Sequence, residues 1–95
     1  MSQVFQRNEA MEAAPLDEEV IIFDPTTSRF FLLNRTSTFL WDRLASPTTA
    51  ETLASEIDRS FAGADPQRSR REVQATLEEW LSLNLVTAAE AASSS

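Results

Sequence analysis

Carboxylates, arginines and hydroxyls are nearly all the reactive chemistry in this 95-residue sequence, which has no histidine, lysine, tyrosine or cysteine. That removes the commonest general base and zinc ligand, the Schiff-base amine, the phenol acid and the thiolate. A single glycine leaves no material for a phosphate-cradling loop. The one tight basic group is Arg68, Arg70 and Arg71, at the start of a long helical pattern. Three cations there oppose the helix dipole. They read either as a solvated face screened by Asp65 and Glu72, or as a docking point for a carboxylate-bearing partner. This repertoire points to binding rather than to an enzyme, with no cofactor and no metal.

The charge balance narrows the partner. The net charge is −7, and residues 8–28 hold Glu9, Glu12, Asp17, Glu18, Glu19 and Asp24 with no basic residue. A nucleic-acid binder needs a basic face to displace counterions, so no nucleic acid is expected. No apolar run approaches the roughly 20 residues of a membrane span, and there is no signal-peptide core. The expectation is a soluble cytoplasmic protein that does not engage a membrane. A chain this short buries only about 60–65% of the surface its unfolded form exposes. Without disulfides, its stability must come from aliphatic and aromatic side chains.

Those side chains are organised around residues 19–41, EVIIFDPTTSRFFLLNRTSTFLW. Two apolar runs, Val20–Phe23 and Phe30–Leu33, flank Asp24-Pro25-Thr26-Thr27-Ser28. Proline fixes its own φ, and Asp, Thr and Ser bond nearby amides, so the pattern predicts a β-hairpin. In the second strand, Arg29 to Leu33, one face is read as Phe31 and Leu33 and the other as Arg29, Phe30 and Leu32. A strand with one solvated face alternates polar and apolar, and this one does not. Either both faces are covered, or one is an exposed apolar strip that serves a partner.

Apolar spacing then turns helical. A first helix is predicted from Arg35 or Thr36 to Leu44, capped by Asn34 or Thr36, with Trp41 in the core. Ser46-Pro47 ends it. Thr48-Thr49-Ala50-Glu51 has capping-box form with Thr48 at the N-cap. The second helix carries Ala50, Leu53, Ala54, Ile57 and Phe61, and Gly63 stands where a left-handed C-cap is wanted. Asp65-Pro66 opens a third helix to about Leu83, whose apolar face is Val73, Leu77, Trp80 and Leu81. On a helical wheel Arg70 and Gln74 flank Leu77 and Leu81, so they would border a groove beside the core. Residues 1–15 read as an N-terminal segment with an edge strand as one option. Residues 16–86 form the domain, in which Leu85-Val86 can return as a short strand. Residues 87–95 read as a disordered tail. The fold class is α+β, a small winged helix-turn-helix with an antiparallel hairpin or three-stranded sheet packed on three helices.

The ordered set of Glu19-Val20-Ile21-Ile22-Phe23-Asp24, a turn, Phe31, Leu33-Asn34, and Leu40-Trp41 in the first helix resembles the PqqD family. The threonine-started second helix, Thr48 to Ala54, and the leucine-rich end from Trp80-Leu81 to Leu85-Val86 extend the resemblance over about residues 16–86. Ser37 stands where the family often has glycine, and Ser46-Pro47 replaces a glycine between the first two helices. The resemblance implies a RiPP recognition element, a non-catalytic domain that binds the leader of a ribosomally made precursor peptide. It then presents that peptide to a modifying enzyme, a radical-SAM maturase or a lasso-type leader protease. It further implies that the leader adds as a strand beside Arg29, Phe30, Phe31, Leu32 and Leu33 and lies against the third helix. Phe31, Leu33, Leu77 and Leu81 would form an apolar floor, Gln74 would line the border, and Arg70 and Arg71 would meet leader carboxylates. An acidic winged-helix regulator, and a strand that pairs with its own copy in a weak homodimer, are the other readings.

Overall fold

Two short apolar runs joined by a proline-containing turn have one economical use, which is to pair. They do so in the computed structural model, which describes residues 3–61, 63 and 65–90. Counting strands from the N-terminus, β1 is Gln3–Arg7, β2 is Glu12–Leu16, β3 is Glu19–Asp24 and β4 is Arg29–Leu33. β3 and β4 are antiparallel, with Ile22 opposite Phe31 and Val20 opposite Leu33. The turn is held by Asp24, whose Oδ1 accepts the Thr26 N–H at 2.9 Å and whose carbonyl accepts the Ser28 N–H at 2.7 Å. β2 adds to the other side of β3 across Asp17-Glu18, giving a sheet of order β2-β3-β4. Pro15 lies in β2, an edge strand, where a missing donor is tolerated.

The two-residue period decides the faces of β4. Leu33 is buried and Phe31 packs half-buried on the core. Arg29 shares their side, its guanidinium carbon 5.1 Å above the Phe31 ring. Arg29 thus lies on the inner face with Phe31 and Leu33, not on the outer one with Phe30 and Leu32 as the sequence suggested.

Three helices follow: α1, Arg35–Arg43; α2, Ala50–Ser60; and α3, Pro66–Ser82. Asn34 caps α1, its Oδ1 accepting the Ser37 N–H at 2.8 Å. The cap of α2 is Thr49, not Thr48: Thr49 Oγ1 accepts the Thr52 N–H at 3.1 Å. Thr48 has another task, because its backbone bonds Phe5 in both directions, at 2.7 and 2.9 Å. α2 ends on an extended Phe61, so Gly63, with φ 78°, lies in the link to α3 rather than at the C-cap. Asp65 caps α3 and Pro66 opens it. At its far end, Leu85 N–H reaches Trp80 O at 2.8 Å and Asn84 N–H reaches Leu81 O at 3.1 Å, with Asn84 left-handed at φ 63°. This is a Schellman ending with asparagine in the usual glycine position.

The chain ends differ most from expectation. Residues 3–7 and 12–16 both form strands. Where a tail was expected from Thr87, β5 runs Val86–Glu90 and pairs antiparallel with β1 as a second sheet. Residues 91–95 lie outside the described residues. The composition of Thr87–Glu90 suggested disorder, but backbone pairing with β1 supplies the order that side chains do not. The fold is thus α+β, with three helices and antiparallel sheets of two and three strands. The core joins Ile22 and Leu33 of the larger sheet to Leu40, Trp41, Leu53, Val73, Leu77 and Trp80 of the helices. The Trp41 and Trp80 rings meet edge to face, centroids 5.9 Å apart.

The capping assignment is testable by urea unfolding. Thr49→Ala should cost about 1 kcal/mol, as loss of an N-cap oxygen does. Thr48→Ala, which keeps the backbone bonds to Phe5, should stay within about 0.5 kcal/mol of wild type. The reverse ranking would restore Thr48 as the cap.

Candidate functional site

An antiparallel sheet of three strands has two open edges, and β4 is one of them. Its outer backbone groups are unpaired with any other strand among the described residues. The strand is nevertheless held firmly: β3 pairs one side, and Phe31 and Leu33 anchor it from below. Phe30 and Leu32 point the other way and are 69% and 61% exposed. The sequence left open whether both faces were covered; the structure leaves the outer one exposed.

Where β4 ends, a furrow begins. Its first part, about 360 Å³, runs between the start of α1 (Asn34, Thr36, Ser37) and α3 (Glu72, Ala75, Thr76). Leu40, Ile57 and Val73 also line it, so the floor is apolar. A second hollow of about 210 Å³ shares Thr36, Ile57 and Glu72 and continues toward Phe61 and Arg68. Arg68 Nε meets Glu72 Oε2 at 3.0 Å, one helical turn apart. Both are exposed, so this pair stabilises by at most about 0.5 kcal/mol and leaves the rim near neutral. The furrow therefore offers a narrow apolar bed, small polar groups on both banks, and an open strand edge at one end.

The ten residues expected at the site do not share one place. Arg29, Phe30, Phe31, Leu32 and Leu33 form the edge strand as expected. Leu77 is core and lines neither hollow of the furrow. Leu81 packs half-buried against the core. Arg70 and Gln74 do border a hollow, but on the opposite flank of α3, with Gln3, Phe5, Thr49 and Glu51. Arg71 is exposed and in no ion pair among the described residues.

The α3 bank facing α1 is instead Glu72, Ala75 and Thr76, which the sequence reading did not select. A signal was present. Thr76 is three residues after Val73 and four before Trp80, so it must border the buried stripe. Its small side chain and that of Ala75 leave room where a longer one would fill it. Choosing between the two flanks required knowing on which side α1 packs, and the wheel alone does not tell.

Comparison with known proteins gives three matches. A family model described as coenzyme PQQ synthesis protein D (PqqD) matches residues 19–86. Among solved structures, TbiB1 in complex with the TbiA(beta) leader peptide superposes with a TM-score of 0.78 at 20% identity, covering 85% of this chain and 93% of that one. A lasso peptide synthetase B1 complexed with the leader peptide superposes with a TM-score of 0.77 at 14% identity, covering 87% and 96%. At these identities the likeness is one of fold. No curated protein matches the chain in sequence.

The anchoring of β4 predicts a contrast between neighbours. Leu33→Ala should destabilise by about 2–5 kcal/mol, the range for truncating a buried leucine. Leu32→Ala, on the open face, should change stability by no more than about 0.5 kcal/mol. Equal losses in thermal or denaturant melts would show that the outer face is covered after all.

Proposed function

Because the chain belongs to the PqqD family, we propose that it is a non-catalytic recognition domain that binds the leader segment of a ribosomally made precursor peptide. The observation that carries this reading is the open β4 edge, which leads at Asn34 into an apolar furrow. Strand addition draws affinity from backbone N–H and C=O groups and selectivity from pockets for alternate side chains. β4 has the first and the furrow the second. Leader side chains that face inward would meet Phe31, the end of Leu33, and the bed formed by Leu40, Ile57 and Val73. Each aliphatic or aromatic group fully buried there contributes about 1.5–3 kcal/mol.

Charge has a smaller part. Arg29 lies at the hairpin end of the strand, over Phe31, and is the cation best placed for a leader carboxylate. Arg70 and Arg71, proposed from the sequence for that role, are on other faces of α3 and would act only on a leader that continues past the furrow. An exposed pair of this kind contributes about 0.2–1 kcal/mol. Binding should therefore be governed by apolar side chains and be only weakly sensitive to salt.

The same reading implies a peptide-modifying partner enzyme. Both structural neighbours hold leader peptides, and one is a lasso peptide synthetase component. That supports a lasso-type leader protease, while a radical-SAM maturase stays the other partner expected from the family resemblance. A domain of this kind would act in the cytoplasm, where precursor peptides are made; among the described residues no helix is long and apolar enough to cross a membrane.

An amide titration of the isolated chain with a leader peptide encoded beside its gene tests the reading. Shifts are expected at Arg29–Leu33 and at Glu72, Ala75 and Thr76, with slowed amide exchange at alternate residues of β4. Shifts confined to Gln3, Phe5, Arg70 and Gln74 would move the site to the other flank of α3. Duplex DNA binding that weakens steeply with salt would instead support a regulator.

A further inference from the structure

Every large apolar side chain exposed among the described residues lies on one face of one sheet: Leu16 at 49%, Phe30 at 69% and Leu32 at 61%. Phe30 and Leu32 are neighbours along β4, and Ile21, opposite Leu32 and diagonal to Leu16, links Leu16 to them across β3. Ile21 lies between Ala14 and Leu32, and Phe23 lies beside Phe30, all on this outer face. The Phe23 and Phe30 rings are 4.8 Å apart. The inner face already supplies the core through Ile22 and Leu33. A sheet whose second face meets only water alternates apolar with polar residues. Folding thus gives no reason for a phenylalanine and a leucine in the open, and a contiguous patch of this kind marks an interaction surface.

The border of the patch is acidic. Glu12 and Glu19 occur on the face itself, opposite Phe23 and Leu16, and Asp17 and Glu18 form the adjoining turn. Arg35, which lines a hollow with Leu16 and Glu19, is engaged by Glu18 at 3.3 Å. Arg29 is turned to the other face.

We propose that this outer face docks the peptide-modifying enzyme, through an apolar patch on that enzyme bordered by arginine and lysine. The inference rests on the leader-binding reading above. Two observations select this occupant. A second copy would set carboxylates against carboxylates in a chain of net charge −7, whereas a basic-rimmed surface is complementary. The patch also shares β4 with the open edge. An enzyme seated on it lies about one strand spacing, ~5 Å, from a leader added there, which is where a peptide must be handed over.

The test leaves β4 untouched. The probe is the purified enzyme that modifies the precursor whose leader passes the titration above. Glu12→Lys/Glu19→Lys and Leu16→Ser/Ile21→Thr should each keep leader affinity within about twofold, as their side chains are on neighbouring strands. Each should weaken association with the enzyme by about tenfold or more, measured by calorimetry. Loss in the charge-reversed pair should shrink as salt is raised. Wild-type enzyme affinity in both variants, with leader binding retained, overturns this proposal alone. A light-scattering mass of twice the chain that returns to one chain in Leu16→Ser/Ile21→Thr assigns the face to a second copy and also overturns it. A chain that binds no leader overturns the preceding reading, and this one with it.

Discussion

One constraint governs everything in the structure that can receive a peptide: β4 must be rigid yet unpaired on its outer side. Rigidity comes from below and from one flank. Phe31 and Leu33 descend into the core, and β3 holds the inner backbone edge. The connection to α1 is fixed immediately, with Asn34 capping the helix and Thr38 Oγ1 donating to the Leu33 carbonyl at 3.3 Å. β4 therefore cannot swing away to satisfy its free edge elsewhere. An exposed edge is ordinarily a hazard, since it templates pairing with any extended chain. In the proposed function the same exposure is the basis of recognition, and the acidic strands beside it discourage pairing between copies of a chain that is itself strongly negative.

Most of the fold was legible from local patterns. The hairpin followed from Val20–Phe23, Phe30–Leu33 and the proline turn. The three helices followed from apolar spacing and from capping residues at Asn34 and Asp65. The errors have physical sources. Thr48 and Thr49 are equivalent as sequence, but Thr48 is committed by its backbone to Phe5, forty-three residues away, and only Thr49 is left to cap. Thr87–Glu90 looked like a tail because alanine and threonine carry little core-forming information. Their order comes from main-chain pairing with β1, which side-chain patterns do not report.

The proposed site was legible in one half. β4 announced itself by having apolar residues at successive positions, which an ordinary half-buried strand lacks. On α3 the sequence reading chose the flank of Arg70 and Gln74, whereas the proposed furrow opens on the flank of Ala75 and Thr76, because arginines draw attention and small residues do not. The family resemblance does not choose between the flanks, since it specifies which elements meet but not which way this helix is turned. A groove is made by what is small, and small residues are the least conspicuous in a sequence.

The pairing of β1 with β5 has a consequence beyond stability. Gln3 stands opposite Glu90, so the two ends of the described chain leave the fold at one point, far along the backbone but adjacent in space. Joining them with a short linker and opening the chain at the Ala45–Pro47 connection would give a circular permutant with the same packing. By the same geometry, a catalytic domain fused at either end would occupy much the same position relative to β4. Gene fusion in either order would then be mechanically equivalent.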